Sequence, residues 1–346
     1  MELNFTNETY KEKAKQSIPY SKANSKRTIA EAFMVLIKGV SKEDLSNLCS
    51  KLQEKLKDML EVTPEECYEL TQGSEEVLNK ISTVVDIRNF GTYLLTLAYE
   101  CIEKDKVYLG DKTIKVGINT SAWISHSLYE AKVAQRLAEI KGLDTEKAGV
   151  LGLLHDYGRK YIHDFTHVIK GFEALVDEGW IEEARACLTH SFINAGRCAN
   201  CDPAENGFYI DEYGNPMWEQ DKFFDDIAEV LCELKYDEYD DILNIADLMA
   251  MSEGVTTPFE RVKDVATRKK PDSKNRTYFL SEFMNKLLST MNYTLTEEKR
   301  FTPIMSEEEL MTKFKMVSDK FYQFYKGELD KRTASKNIVD EELDEI

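Results

Sequence analysis

Residues that interrupt helices are scarce in this sequence. Its 346 residues include only 7 prolines and 16 glycines. Most segments between them repeat apolar residues at steps of three and four, the spacing of one helix face. The clearest such stripe is Leu45, Leu48, Leu52, Leu56 and Met59. We therefore predict an all-α fold, with short β-hairpins at one or two places.

Long apolar runs and a basic charge balance are also absent. The first sixteen residues are polar and charged, and no stretch offers the roughly 20 apolar residues that a membrane-spanning helix needs. The formal net charge of −18 disfavours binding to a nucleic-acid duplex or to an anionic membrane. We expect a cytoplasmic protein that acts on a small molecule and contacts no membrane.

The cysteines do not form the pattern of a disulfide-rich domain. Seven of them are spread from Cys49 to Cys232, so reduced thiols are expected. Cys198 and Cys201 form a single CxxC, whereas a structural zinc site needs four protein ligands. We interpret this pair as ordinary loop thiols.

Changes in pattern divide the chain into three predicted segments. Residues 1–115 form an N-terminal helical region that would pack on the next segment or support a homo-oligomer; VYL and TIKV within 107–116 predict a hairpin. Residues 116–295 form the main domain, with an inserted loop and hairpin at 196–219. Residues 296–346 form a last helix and an acidic tail.

All five histidines lie in the main domain, where apolar spacing predicts mainly helices. Imidazole is the commonest protein ligand of zinc, iron and manganese, and carboxylates complete such sites. His155 and Asp156 close a helix predicted over residues 145–157, for which Gly158 is a natural end. In this helix, Gly149 and Gly152 would let the helix of His126 approach closely. The histidines are His126, His155, His163, His167 and His190.

One aspartate lies in a helix predicted over residues 239–251 among apolar neighbours. Asp247 is flanked by Ala246 and Leu248, where an unpaired carboxylate would be costly to bury. A bound metal ion would remove that cost.

These residues resemble the pattern of the HD-domain metal-dependent phosphohydrolases, which is a His, a His-Asp pair and a distant Asp. The resemblance covers approximately residues 121–268 and includes GLLHDYGRK, ARACLTHSF and ILNIADLMA. It implies an HD-type helical bundle that hydrolyses a phosphoester or phosphoanhydride of a small, nucleotide-like substrate. The matching residues are His126, His155, Asp156 and Asp247.

Members of that family with two metals carry two further histidines between the His-Asp pair and the last Asp. His167 and His190 occupy those places here, so the resemblance implies two divalent ions, with Asp156 bridging them. Iron or manganese is expected first, with zinc, magnesium, cobalt and nickel as alternatives. His163 lies four residues before His167, on the same face if both are helical, and is a rival for its role.

Cationic residues near the His-Asp pair are candidates for binding substrate phosphate. Arg159 and Lys160 follow it after Tyr157 and Gly158, and with Asp156 we assign them catalytic roles. A basic pair capping a helix C-terminus is an equally good interpretation of Arg159 and Lys160. Arg197 and Arg261 are weaker candidates for substrate binding.

Two other functions use the same residues. Some proteins that resemble this pattern hold a di-iron centre with the same ligands and activate oxygen. A non-catalytic sensor that binds a metal or a nucleotide is the second alternative, in which the N-terminal helices would contact a partner.

Overall fold

The computed structural model describes residues 4–39, 42–104, 106–109, 112–115, 122–164, 166–193, 198–199, 208–210, 216–218, 225–268, 273–293, 295, 300–302 and 304–329. Helices dominate this part of the chain, which confirms the predicted all-α class. None of its helices combines the length and apolar character needed to cross a bilayer.

The helices are numbered in chain order. They are α1 Glu8–Lys15, α2 Ile29–Ile37, α3 Lys42–Leu60, α4 Pro64–Thr71, α5 Glu75–Ser82, α6 Ile87–Lys104, α7 Ala122–Lys141, α8 Thr145–Leu154, α9 His167–Asp177, α10 Arg185–Thr189, α11 Asp225–Glu233, α12 Glu238–Asp247, α13 Pro258–Arg268, α14 Ser273–Thr290 and α15 Glu307–Lys326. Short 3₁₀ turns cover Tyr20–Lys22 and Tyr157–Lys160.

The described strands form two-stranded antiparallel sheets. Both predicted hairpins are present, and two shorter pairs accompany them. The pairs are β1 Lys106–Leu109 with β2 Lys112–Lys115, β3 Phe192–Ile193 with β4 Cys198–Ala199, β5 Phe208–Ile210 with β6 Pro216–Trp218, and β7 Ala250–Met251 with β8 Gly254–Val255.

The chain divides into two compact units. The central unit comprises residues 24–187 and 250–255, and the flanking unit comprises residues 1–23, 188–249 and 256–346. The three predicted segments along the sequence stay a prediction.

In the central unit, α7 and α8 pack against each other at very short range. A Cβ added to Gly152 on α8 would lie 2.7 Å from the Cα of Ala131 on α7. One added to Gly149 would lie 2.7 Å from Ile29 Cδ1, at the start of α2. The two glycines therefore let neighbouring helices approach α8, as predicted from their small size.

The helix that leads to the His-Asp pair ends earlier than predicted. It stops at Leu154 instead of Tyr157, and His155 is its C-cap. Asp156 then begins the 3₁₀ turn Tyr157–Lys160. Gly158 does not end this helix. It is needed because a Cβ at this position would lie 2.0 Å from the carbonyl oxygen of His167. This close contact fixes the first turn of α9 beside the His-Asp pair.

In the flanking unit, charged and aromatic contacts join elements that are distant in sequence. Lys11 on α1 lies 2.9 Å from Asp226 on α11, and Phe283 on α14 packs edge-on against Phe314 on α15. The helix α12 begins at the capping box of Asp237 and ends at Asp247. The predicted helix over residues 239–251 was therefore too long, since Ala250 and Met251 form β7 with the returning β8.

A buried carboxylate makes the stability of the central unit depend on pH. Glu146 is 7% exposed, and its Oε1 accepts a hydrogen bond from the backbone N–H of Ile29 at 2.7 Å. Burial raises the pKa of Glu146 from 4.5 to about 7. Between these two values the folded chain binds the proton and the unfolded chain does not, so stability falls as pH rises through this window.

We expect Glu146→Gln to remove this decline. The variant keeps the acceptor for Ile29 and cannot ionise, so it should gain roughly 2–3 kcal/mol over the wild type between pH 5 and pH 8. Unfolding of both proteins in denaturant at the two pH values measures this gain. A difference between variant and wild type that stays constant with pH would show that Glu146 has an ordinary pKa.

Candidate metal centre

The first part of the site lies on one face of α7. His126 and Glu130 are separated by four residues, which places their side chains on the same side of the helix. Both are buried, with exposures of 7% and 0%. The His126 Nε2 and Glu130 Oε2 atoms are 3.7 Å apart.

His155, the C-cap of α8, points its Nε2 toward His126 and Glu130. Its Nδ1 lies 2.7 Å from the carbonyl oxygen of Gly152, and only a protonated Nδ1 can donate to that acceptor. In the neutral ring the lone pair therefore belongs to Nε2, which lies 2.7 Å from Glu130 Oε2 and 3.1 Å from His126 Nε2. A fixed tautomer of this kind is typical of histidines that bind metal ions.

The donor atoms of His126, Glu130 and His155 fit a divalent cation. All of them lie within 4.8 Å of one another, and the three separations, 2.7, 3.1 and 3.7 Å, bracket the distance between neighbouring ligands of one ion. Ligands about 2.1 Å from a shared ion are about 3 Å apart when they subtend a right angle. Imidazole nitrogen and carboxylate oxygen also suit iron, manganese and zinc.

Asp156 presents its two oxygens to different partners. Its Oδ2 lies 3.6 Å from His155 Nε2 and 3.9 Å from His126 Nε2. Its Oδ1 lies 2.8 Å from His167 Nε2. His167, the first residue of α9, has its Nδ1 2.8 Å from the carbonyl oxygen of Asp164, so its neutral ring also carries the lone pair on Nε2. The carboxylate thus connects the His126–His155 pair with His167.

Electrostatics in this cluster favour charged groups. Burial opposes the charged form of His155, but the Glu130 and Asp156 carboxylates outweigh it and hold the pKa of His155 well above its usual value. Burial likewise opposes ionisation of Asp156, but the Arg159 guanidinium and the two histidine rings hold its pKa well below the usual range. The two carboxylates therefore make the cluster favourable for binding a cation.

The structure separates His167 from its rival. His167 is 1% exposed and contacts Asp156. His163 is exposed, and its backbone carbonyl accepts a hydrogen bond from Arg159 Nη1 at 2.5 Å. Its side chain lies outside the cluster because residues 161–164 form no helix and do not share the face of α9.

The other two predicted ligands belong to the flanking unit. His190 is 2% exposed and directly follows α10, and Asp247 is the last residue of α12. Asn244, one turn before Asp247, donates a hydrogen bond to the carbonyl of Thr189 at 2.9 Å. This bond ties the helix of Asp247 to the residue that precedes His190.

The predicted phosphate-binding cations have different surroundings. The Arg159 Nε is 3.4 Å from Asp156 Oδ1, whereas the Lys160 ammonium lies 3.1 Å from the Tyr157 hydroxyl and over the Tyr157 ring. Arg261 Nη2 is 4.0 Å from Asp247 Oδ1 in the flanking unit. Arg197 and Cys201 lie outside the described residues.

Glu130 is the member of the cluster that the sequence patterns did not predict. Its signal was its position four residues after His126 on a helix that was itself predicted. The helical spacing places Glu130 on the same side of α7 as His126.

Comparison with known families agrees with this geometry. Residues 123–197 match the family model of the HD domain, a domain found in metal-dependent hydrolases. The matched region contains His190 and a cluster of five residues, which we name the His126–His167 cluster: His126, Glu130, His155, Asp156 and His167. It ends before Asp247. No curated protein and no solved structure matched the chain.

Proposed function

We propose that this protein is a phosphohydrolase that uses two divalent ions to cleave a phosphoester or phosphoanhydride of a small, nucleotide-like substrate. The observation that carries the proposal is that the two oxygens of Asp156 have different neighbours. Its Oδ2 faces His126 and His155, and its Oδ1 faces His167. A carboxylate in that position suits a bridge between two ions. His190 and Asp247 are proposed to complete the ligand set, on the strength of the HD sequence pattern.

Two adjacent divalent ions, when bound, supply a hydroxide near neutral pH and neutralise charge on the phosphoryl oxygens. The residues of the chain would prepare the site for this chemistry. Gly152 and Asp164 fix the two histidine tautomers through their carbonyls. The exclusion of water from a buried ligand set strengthens every electrostatic contact within it.

Arg159 is the strongest candidate for binding a substrate phosphate. Its guanidinium is partly exposed, beside the carboxylate that would bridge the ions, and guanidinium groups bind phosphate through paired hydrogen bonds. Lys160, Arg197 and Arg261 stay weaker proposals, and the contacts of Lys160 with Tyr157 point its charge elsewhere.

A phosphate-release screen tests the proposed reaction. The purified protein would be reconstituted with Mn²⁺ or Fe²⁺ and incubated with nucleoside mono-, di- and triphosphates, dinucleotide polyphosphates and cyclic nucleotides. We expect metal-dependent release of phosphate or of a nucleotide from at least one class, without consumption of oxygen. Oxygen uptake without phosphate release would favour the di-iron oxygenase instead.

The second ion should depend on His167 and not on His163. We expect His167→Ala to bind about one ion fewer per chain and to lose roughly 100-fold in kcat/KM, because it removes a ligand from one ion only. His163→Ala is the matched control, since it removes the same side chain from an exposed position nearby. Elemental analysis gives the metal content of both variants. Equal losses of metal from His167→Ala and His163→Ala would contradict the assignment of His167 as a ligand.

A further inference from the structure

We propose that Glu130 is a direct ligand of the metal ion held by His126 and His155, a role that the HD pattern of histidines and aspartates does not give it. The inference rests on the proposed function, because it concerns the same metal centre. It adds a carboxylate to a site that the sequence pattern describes with two imidazoles and two aspartates.

The location of Glu130 is unusual for a glutamate. The side chain is 0% exposed in the middle of α7, where its helix neighbours Leu128, Tyr129 and Ala131 are core residues. Glutamate is almost never fully buried unless a partner compensates its charge. The charge of Glu130 therefore calls for a cationic partner.

The contacts of Glu130 indicate which cation fits. Its Oε2 faces both the His155 and the His126 Nε2 atoms, at 2.7 and 3.7 Å, and these nitrogens also face each other at 3.1 Å. One proton joins two atoms, whereas one metal ion contacts all three donors at once. The triangle of donor atoms thus favours a shared ion over a protonated His155 alone.

A further carboxylate changes which metals the site prefers. Carboxylate ligands suit manganese and magnesium, while imidazole suits zinc, copper and nickel as well. Loss of Glu130 should therefore weaken the binding of Mn²⁺ more than that of Zn²⁺.

Metal titration without substrate tests this role. The full-length protein, freed of metal with a chelator, would be titrated with Mn²⁺ alone, and free Mn²⁺ measured from its electron paramagnetic resonance signal. We expect Glu130→Gln to raise the Mn²⁺ dissociation constant at least about tenfold. Glu146→Gln is the matched control, because it neutralises another buried glutamate of the same unit and should leave the Mn²⁺ affinity unchanged.

Thermal unfolding in the presence of a chelator separates ligand loss from misfolding. Glu130→Gln should still unfold in one cooperative transition there, at a melting temperature lowered by the loss of its contact with His155. If Glu130→Gln does not fold, Glu130→Asp takes its place, and its shorter carboxylate should also weaken Mn²⁺ binding.

The role of Glu130 is overturned if a folded Glu130→Gln binds Mn²⁺ with wild-type affinity, or if the wild type binds no Mn²⁺. Failure of the proposed function looks different. In that case the wild type binds Mn²⁺ through Glu130 but releases no phosphate from any nucleotide.

Discussion

Asp156→Asn is expected to abolish binding of both ions and to lower kcat/KM by about three orders of magnitude or more, equivalent to about 4 kcal/mol. The amide keeps the shape of the carboxylate but removes its charge and one of its two acceptor oxygens. Since the two Asp156 oxygens face different histidines, both of the proposed ion positions would lose a ligand in one substitution.

The measurement is elemental analysis together with the rate of phosphate release on the best substrate of the screen. Asp177→Asn serves as the control, because this aspartate is exposed at the end of α9. If Asp156→Asn retains two ions per chain, or turns over at the wild-type rate, the bridging role is wrong.

Gly158→Ala is expected to destabilise the central unit by about 3 kcal/mol or more. Overpacking usually costs 1–3 kcal/mol when side chains can move. Here the added Cβ would meet the backbone oxygen of His167 at 2.0 Å and the backbone nitrogen of Gly171 at 2.7 Å, so relief requires a shift of the whole first turn of α9. That shift would also move His167 away from Asp156.

Gly179→Ala separates this steric effect from the general cost of replacing glycine. Gly179 has a φ of +80° and nothing within 4 Å of an added Cβ, so its substitution should cost only the roughly 1–2 kcal/mol of a left-handed backbone. Chemical denaturation of both variants gives the comparison. Equal losses of stability would contradict a specific clash at Gly158.

The helices and the core of the site could be predicted from local chemistry. The three- and four-residue spacing of apolar residues predicted α7, α8 and α9 to within a few residues. The small size of Gly149 and Gly152 indicated close helix packing. Helix ends were less predictable, because they depend on distant contacts. Gly158 resembles a helix stop in sequence, yet its role is set by the backbone of His167.

Choosing among ligands also required tertiary information. The sequence favoured His167 over His163 without deciding between them, and the contact of His167 with Asp156 in the structure decides it. Glu130 was missed for a different reason. Its signal was local, the position four residues after His126, but acidic residues at that spacing are common on a charged helix.

The metal content of the purified protein, reconstituted with Mn²⁺ and freed of loosely bound ions, tests the central claim most directly. A phosphohydrolase built on the His126–His167 cluster should hold about two ions per chain, and Asp156→Asn should hold none. Wild-type protein that retains no ion, and releases phosphate equally well in a chelator, would contradict the metal centre itself.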